Sequence, residues 1–99
     1  MPEVLGAAQK KSATITAQDS WAGPMLIHGW FDVSIGGVTG TTSSVSVQRS
    51  FDGGVTWGTV IAYTVDQQDT GFAPSSALYR IGVATGAYVA GTILVTIAQ

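Results

Sequence analysis

Hydrophobic and polar residues alternate along most of this chain with a period of two. The stretch "SATITA" (residues 12–17) sets Ala13, Ile15 and Ala17 on one side and Ser12, Thr14 and Thr16 on the other. That is the pattern of a half-buried strand. "MLIHGWFDVSI" (25–35) places Ile27, Phe31, Val33 and Ile35 on one face, with His28, Trp30, Asp32 and Ser34 opposite. "SVSVQRSF" (44–51) alternates Val45, Val47, Arg49 and Phe51 against Ser44, Ser46, Gln48 and Ser50. "VTWGTVIAYTV" (55–65) groups Val55, Trp57, Ile61, Tyr63 and Val65. Further on, "ALYRIGVA" (77–84) aligns Ala77, Tyr79, Ile81 and Val83, and "TILVTI" (92–97) aligns Ile93, Val95 and Ile97.

The segments between these runs read as connections. "QDSWAGP" (18–24) has turn chemistry, and "GGVTGTTS" (36–43) is a small-residue link. "DQQDTGFAPSS" (66–76) is the longest polar stretch and is expected as an exposed loop, with room for a short strand. "TGAYVAG" (85–91) is expected to join the last two strands into a C-terminal hairpin. Glycine and β-branched residues disfavour helix in nearly every window. Six or seven short strands with regular turn signals predict an all-β fold, an antiparallel two-sheet β-sandwich, with a small β-barrel as the alternative. Residues 11–99 form the single predicted domain. Residues 1–10 show no clear period and are expected as an N-terminal arm.

Composition narrows what such a domain does. The chain has 99 residues, enough for one modest core. It has no cysteine, so thiolate metal sites and disulfides are excluded. Only 10% of residues are charged, against roughly a quarter in an average soluble domain. The four cations, Lys10, Lys11, Arg49 and Arg80, are too few and too scattered for a nucleic-acid footprint. No stretch has the roughly 20 apolar residues of a membrane-spanning helix, and Glu3 stands where a signal peptide carries positive charge. A surface so poor in charge has two readings: much of it is covered by partners, or it is a small β domain clothed in Ser and Thr.

One short motif carries specific chemistry. Ser50-Phe51-Asp52-Gly53-Gly54-Val55-Thr56-Trp57 matches the Asp-box pattern Ser-x-Asp-x-Gly-x-Thr-Trp at each position. In a tight hairpin the Asp52 carboxylate accepts hydrogen bonds from backbone N–H groups that the turn leaves unpaired. Gly54, and Gly53 beside it, supply positive φ. Ser50 and Thr56 stand to pair across the hairpin, and Trp57 to cover it. The motif resembles the recurring turns of sialidase-like β-propellers. The chain carries one box rather than several, is too short for a propeller and has two arginines, not a triad. The resemblance therefore implies a folding device and no sialidase.

A wider resemblance runs through "GWFDVSIGGVTGTTSSVSVQRSFDGGVTWGTV" (29–60) and "LYRIGVATGAYVAGTILVTIAQ" (78–99). These blocks resemble small β-sandwich virion structural proteins of tailed bacteriophages and related particles. That resemblance implies a non-enzymatic virion component: a head decoration protein, a head-fibre base or a tail accessory domain. It implies capsid or other virion proteins as partners, and location in the virion after synthesis in the host cytoplasm. A homo-oligomer is expected, a trimer first.

Chemical alternatives are thin. His28, the only histidine, and Asp32 share a strand face but lie roughly 13 Å apart along it, too far for a base and its orienting carboxylate. Asp52, Asp66 and Asp69 offer oxygen ligands for calcium, without an EF-hand loop. Residues 36–40 are glycine-rich but lack the lysine and helix of a phosphate cradle. The expectation is no enzyme, no cofactor and no metal. One rival remains, a carbohydrate-binding module: Trp57, Tyr63 and Tyr79 fall on core faces, leaving Trp21, Trp30 and Tyr88 as exposed anchors for a partner protein or a glycan.

Overall fold

The structure, a computed structural model, describes residues 9–99, and these are all strand and loop. Six strands form: β1 (Lys10–Ile15), β2 (Ser20–Gly36), β3 (Val45–Ser50), β4 (Gly58–Tyr63), β5 (Gln67–Val83) and β6 (Ile93–Ala98). Their order across the sheet is β1-β6-β2-β5-β3-β4, with each neighbouring pair antiparallel. The all-β expectation stands, but the strands do not separate into two hydrogen-bonded sheets. They form one continuous sheet, and it is open, because its end strands β1 and β4 are not paired with each other.

One face of the sheet is apolar. Ile15, Met25, Ile27, Phe31, Val33, Ile35, Val45, Val47, Tyr79, Ile81, Val95 and Ile97 are all buried on it. With no helix among the described residues, only the sheet itself and its loops are available to cover that face. The long β2–β5 ribbon makes this closure happen. The strand contacts show that the sheet turns on itself: β1 comes within 8 Å, Cα to Cα, of both β2 and β5. In a flat sheet those strands would stand about 10 and 14 Å away.

Pairing changes along the ribbon. β2 bonds β5 throughout but adds β6 only at Asp32–Gly36, and β5 adds β3 only at Leu78–Gly82. Each half of the ribbon thus belongs to a different wing of the sheet, and the wings turn their apolar sides toward each other. Two register breaks mark the bends. At Ala22/Met25 the extra residue lies on β2, beside Pro24, which has no N–H to leave unpaired. At Ile27/Gly29 the extra residues lie on β5, at 74–76.

Several expected connections are strand instead. Residues 66–76, expected as a loop, supply the first half of β5 from Gln67. Among the described residues this half has a strand partner on one side only, and its polar, Pro-containing sequence suits an edge. Asp69 even points inward there, its Oδ2 accepting a hydrogen bond from the Tyr63 hydroxyl at 2.9 Å. Residues 20–24, expected in a turn, open β2, and 55–57, expected in a strand, lie in the hairpin turn. The expected C-terminal hairpin is absent: β6 pairs with β1 and β2, never with β5. Of the expected arm, residues 1–8 lie outside the described residues. Gln9 already exchanges backbone hydrogen bonds with Gln99, both at 2.8 Å, and Lys10 begins β1.

Two glycines permit the close approaches. A Cβ on Gly82 would sit 2.1 Å from the Ser20 carbonyl oxygen and 2.8 Å from Trp21 Cα. A Cβ on Gly71 would sit 2.4 Å from Phe31 Cζ, so the Phe31 ring lies directly over that glycine. Gly82→Ala should lower stability by about 3 kcal/mol or more, since backbone must move. Gly36→Ala, where nothing lies within 4 Å, should be neutral or slightly stabilising. Urea titrations of both variants check this, and equal effects would contradict the packing described.

Candidate functional site

The turn between β3 and β4 is built around one carboxylate. Asp52 Oδ1 accepts the N–H groups of Val55 at 3.1 Å and Thr56 at 2.9 Å, and the Ser50 hydroxyl at 2.7 Å. Its Oδ2 accepts the Thr56 hydroxyl at 2.5 Å. Ser50 Oγ in turn accepts the Gly54 N–H at 2.9 Å, and Trp57 Nε1 donates to the Gly54 carbonyl at 3.0 Å. Ser50 and Thr56 meet on Asp52, not on each other. Gly53 and Gly54 both have positive φ, +74° and +95°. Hydrogen bonds to the charged form, from the Thr56 hydroxyl first, then the Thr56 N–H and the Ser50 hydroxyl, hold the Asp52 carboxyl well below its ordinary range.

Asp66 repeats the device on the 37–44 loop. Its Oδ1 accepts Val38 N–H at 2.8 Å and Thr39 N–H at 3.0 Å, while its own N–H donates to Thr39 Oγ1 at 2.7 Å. These backbone donors, that of Thr39 foremost, lower its pKa as well. The fully buried Ser43 organises a third loop, its Oγ accepting the N–H groups of Val89 and Ala90 at 2.8 and 3.3 Å. Each of these side chains serves the main chain around it.

What the first turn displays is apolar. Phe51 is 68% exposed and Val55 79% exposed, on a turn whose polar atoms are bonded inward. Beside them Arg49 stacks on Phe51, its guanidinium carbon 4.8 Å from the ring centroid. A shallow depression of about 420 Å³ lies against the turn, lined by Arg49, Phe51, Trp57 and Val60 among others.

The other face of the β2–β5 ribbon carries the remaining aromatics. Arg80 lies between two indoles, 3.9 Å from the Trp21 centroid and 4.2 Å from that of Trp57, and donates twice to Gln48 Oε1 at 3.1 and 2.7 Å. Both faces and one edge of the guanidinium are occupied, so this cation is poorly placed to receive an anionic ligand. Trp57, expected on the core face, is turned outward by the register break at Val47/Gln48, where β4 carries the extra residue. Trp30 stands opposite Phe72, centroids 4.9 Å apart and planes tilted by 59°.

Of the three aromatics read as exposed anchors, Trp30 is in solvent and Trp21 is half-buried against Arg80. Tyr88 is half-buried against the core, its hydroxyl bonded to Gly91 O at 2.6 Å. The fold does not bring the three together. It supplies Phe72, which sequence reasoning missed because residues 66–76 read as a loop. His28 is exposed, its backbone N–H and carbonyl bonded to the Gln99 side-chain amide, and Asp32 Oδ1 accepts the Thr70 hydroxyl at 2.9 Å. Among the described residues, no three of His, Asp and Glu gather where they would share a metal ion. Comparison of the chain with protein-family models, curated proteins and solved structures found no match.

The depressed carboxyls make a signed pH prediction. Their unfolded-state value is about 3.9, so their stabilising contribution is present above that pH and is lost as pH falls through the lower folded values. Asp52→Asn and Asp66→Asn should each be less stable than the parent chain at pH 7, with the gap narrowing below pH about 4. Denaturant titrations at pH 7 and pH 3 test this, and a gap of equal size at both would refute a role for the charge. Gly53→Ala, with open space at the Cβ but positive φ, should cost about 1–2 kcal/mol from backbone strain alone.

Proposed function

We propose that this chain is a non-enzymatic structural component of a virion, a capsid decoration or head accessory protein that docks through the β3–β4 turn. The observation that carries the reading is the rigid display of Phe51 and Val55 on a turn whose carboxylate is spent on its own backbone. A fixed turn loses little conformational entropy on docking, and two projecting apolar groups beside a shallow depression suit a protein surface of complementary shape. The sequence resemblance to small β-sandwich virion proteins supports the same reading, with the two wings as the layers of the sandwich. So does a surface on which nine large apolar side chains among the described residues are exposed while only 10% of the chain is charged. Tail or fibre attachment is the neighbouring alternative within this class.

Many copies at symmetric positions would make a weak single contact effective, and self-association as a trimer fits such sites. Virions purified from the source that encodes the chain should contain it in many copies by mass spectrometry. Electron microscopy of particles with and without it should show added surface density, on the shell for a decoration protein and on the tail for the alternative. Phe51→Ser combined with Val55→Ser should reduce attachment at least tenfold with the thermal midpoint unchanged, because neither side chain is in the core. Particles devoid of the chain, or undiminished attachment of the double variant, would end this reading.

A further inference from the structure

The geometry points to a binding site for a neutral oligosaccharide on the outer face of the wing that holds β1 and β6, where Trp30 and Phe72 stand at one end of a floor of hydroxyl and amide groups. Cross-strand register builds the floor in rows. Lys10, Ala98, Asp32 and Thr70 stand side by side across β1, β6, β2 and β5, and the next row is Ser12, Thr96, Ser34 and Gln68. Trp30 and Phe72 form the preceding pair on β2 and β5, on the same face as Asp32 and Thr70. A shallow depression of about 380 Å³ lies over these rows, lined by Asp32, Ser34, Gln68, Thr70 and Thr96 among others. That volume is within the range of small-molecule sites.

The chemistry selects the ligand class. Trp30 is 68% exposed and Phe72 54% exposed, so a broad aromatic surface meets solvent although each ring has the other as a neighbour. An indole face attracts the weakly positive C–H groups of a sugar ring, because its own face carries the negative lobe of the quadrupole. The adjoining row offers both donors and acceptors at heights a polyol can reach. The Thr70 hydroxyl bond engages only Oδ1 of Asp32, so the second oxygen of that carboxylate can receive a sugar hydroxyl. Two carboxylates, Asp32 and Asp69, line the depression, and Lys10 stands two strands from Asp32 at the end of its row, so an anionic ligand is disfavoured.

The aromatic end of the floor is also held in place before any ligand arrives. The Gln99 side chain donates to the His28 carbonyl at 2.7 Å and to the Trp30 carbonyl at 3.0 Å, continuing the ladder beyond the end of β6. That pins the backbone beneath the Trp30 ring and lowers the ordering cost of stacking on it. The site is separate from the docking turn, sharing no residue with Phe51, Val55 or their depression.

The test is an NMR and tryptophan-fluorescence titration of the protein with maltohexaose, cellohexaose, mannohexaose and chitohexaose in turn. At least one hexaose should shift the Trp30 indole and Gln68 amide resonances with a dissociation constant at or below the millimolar range. Trp30→Ala should weaken that binding at least tenfold at unchanged thermal midpoint, and Gln68→Ala, at an exposed position, should weaken it severalfold. Phe51→Ser should leave it unchanged, which separates this site from the docking turn. No response to any of the four sugars, or binding that survives both Trp30→Ala and Gln68→Ala, would overturn the assignment.

Discussion

The fold depends on one constraint: an apolar sheet face with no helix to cover it. Such a face is buried only if the sheet turns on itself, and the β2–β5 ribbon is the part that turns. Both strands are 17 residues long and bonded to each other nearly throughout, so neither wing can move without the ribbon. Gly71 and Gly82 matter for the same reason, since each gives up its side chain where Phe31 or the Ser20–Trp21 backbone must come close. The two register breaks are the hinges in this design.

Closing the sheet leaves loops that must be fixed without disulfides and with little charge. Three short polar side chains do this work. Asp52, Asp66 and Ser43 each gather backbone N–H groups that no strand would satisfy. A charged acceptor for N–H donors is about twice as strong as a neutral one, which suits exposed turns where a weaker bond would compete poorly with water. The outcome is a domain with hydrogen-bonded turns and several large apolar side chains exposed among its described residues. Phe51 and Val55 on the β3–β4 turn, and Trp30 with Phe72 on the β2–β5 ribbon, are two instances on different parts of the surface.

Much of this was legible in the sequence. The period-two pattern placed Ile27, Phe31, Val33 and Ile35 on the buried face, and likewise Val45 with Val47 and Tyr79 with Ile81. The Asp-box spacing identified Asp52 as a hydrogen-bond acceptor for its own turn. The first half of β5 was not legible, because an edge half-strand is polar for the same reason that a loop is: its backbone meets water. Phe72 was lost with it. The C-terminal hairpin was misread because a short glycine-bounded link permits direct pairing without requiring it, and β6 gains more by joining β1 and β2, where Val33 and Ile35 meet Ile97 and Val95.

By itself, the chain's alternation determined that the protein is all-β and which residues line most of its core, since side-chain direction in a strand follows directly from position. Tertiary structure alone decided where that alternation is broken. Trp21 on β2 and Trp57, just before β4, have the same parity as the core residues Met25 and Tyr63, and an unbroken strand would have sent both inward. A one-residue bulge in β2 and another in β4 reverse the parity, so the two indoles emerge on the outer face and close on Arg80 from either side. An inserted residue looks like any other in a one-dimensional pattern. Its effect exists only once a partner strand supplies the register against which it counts as extra.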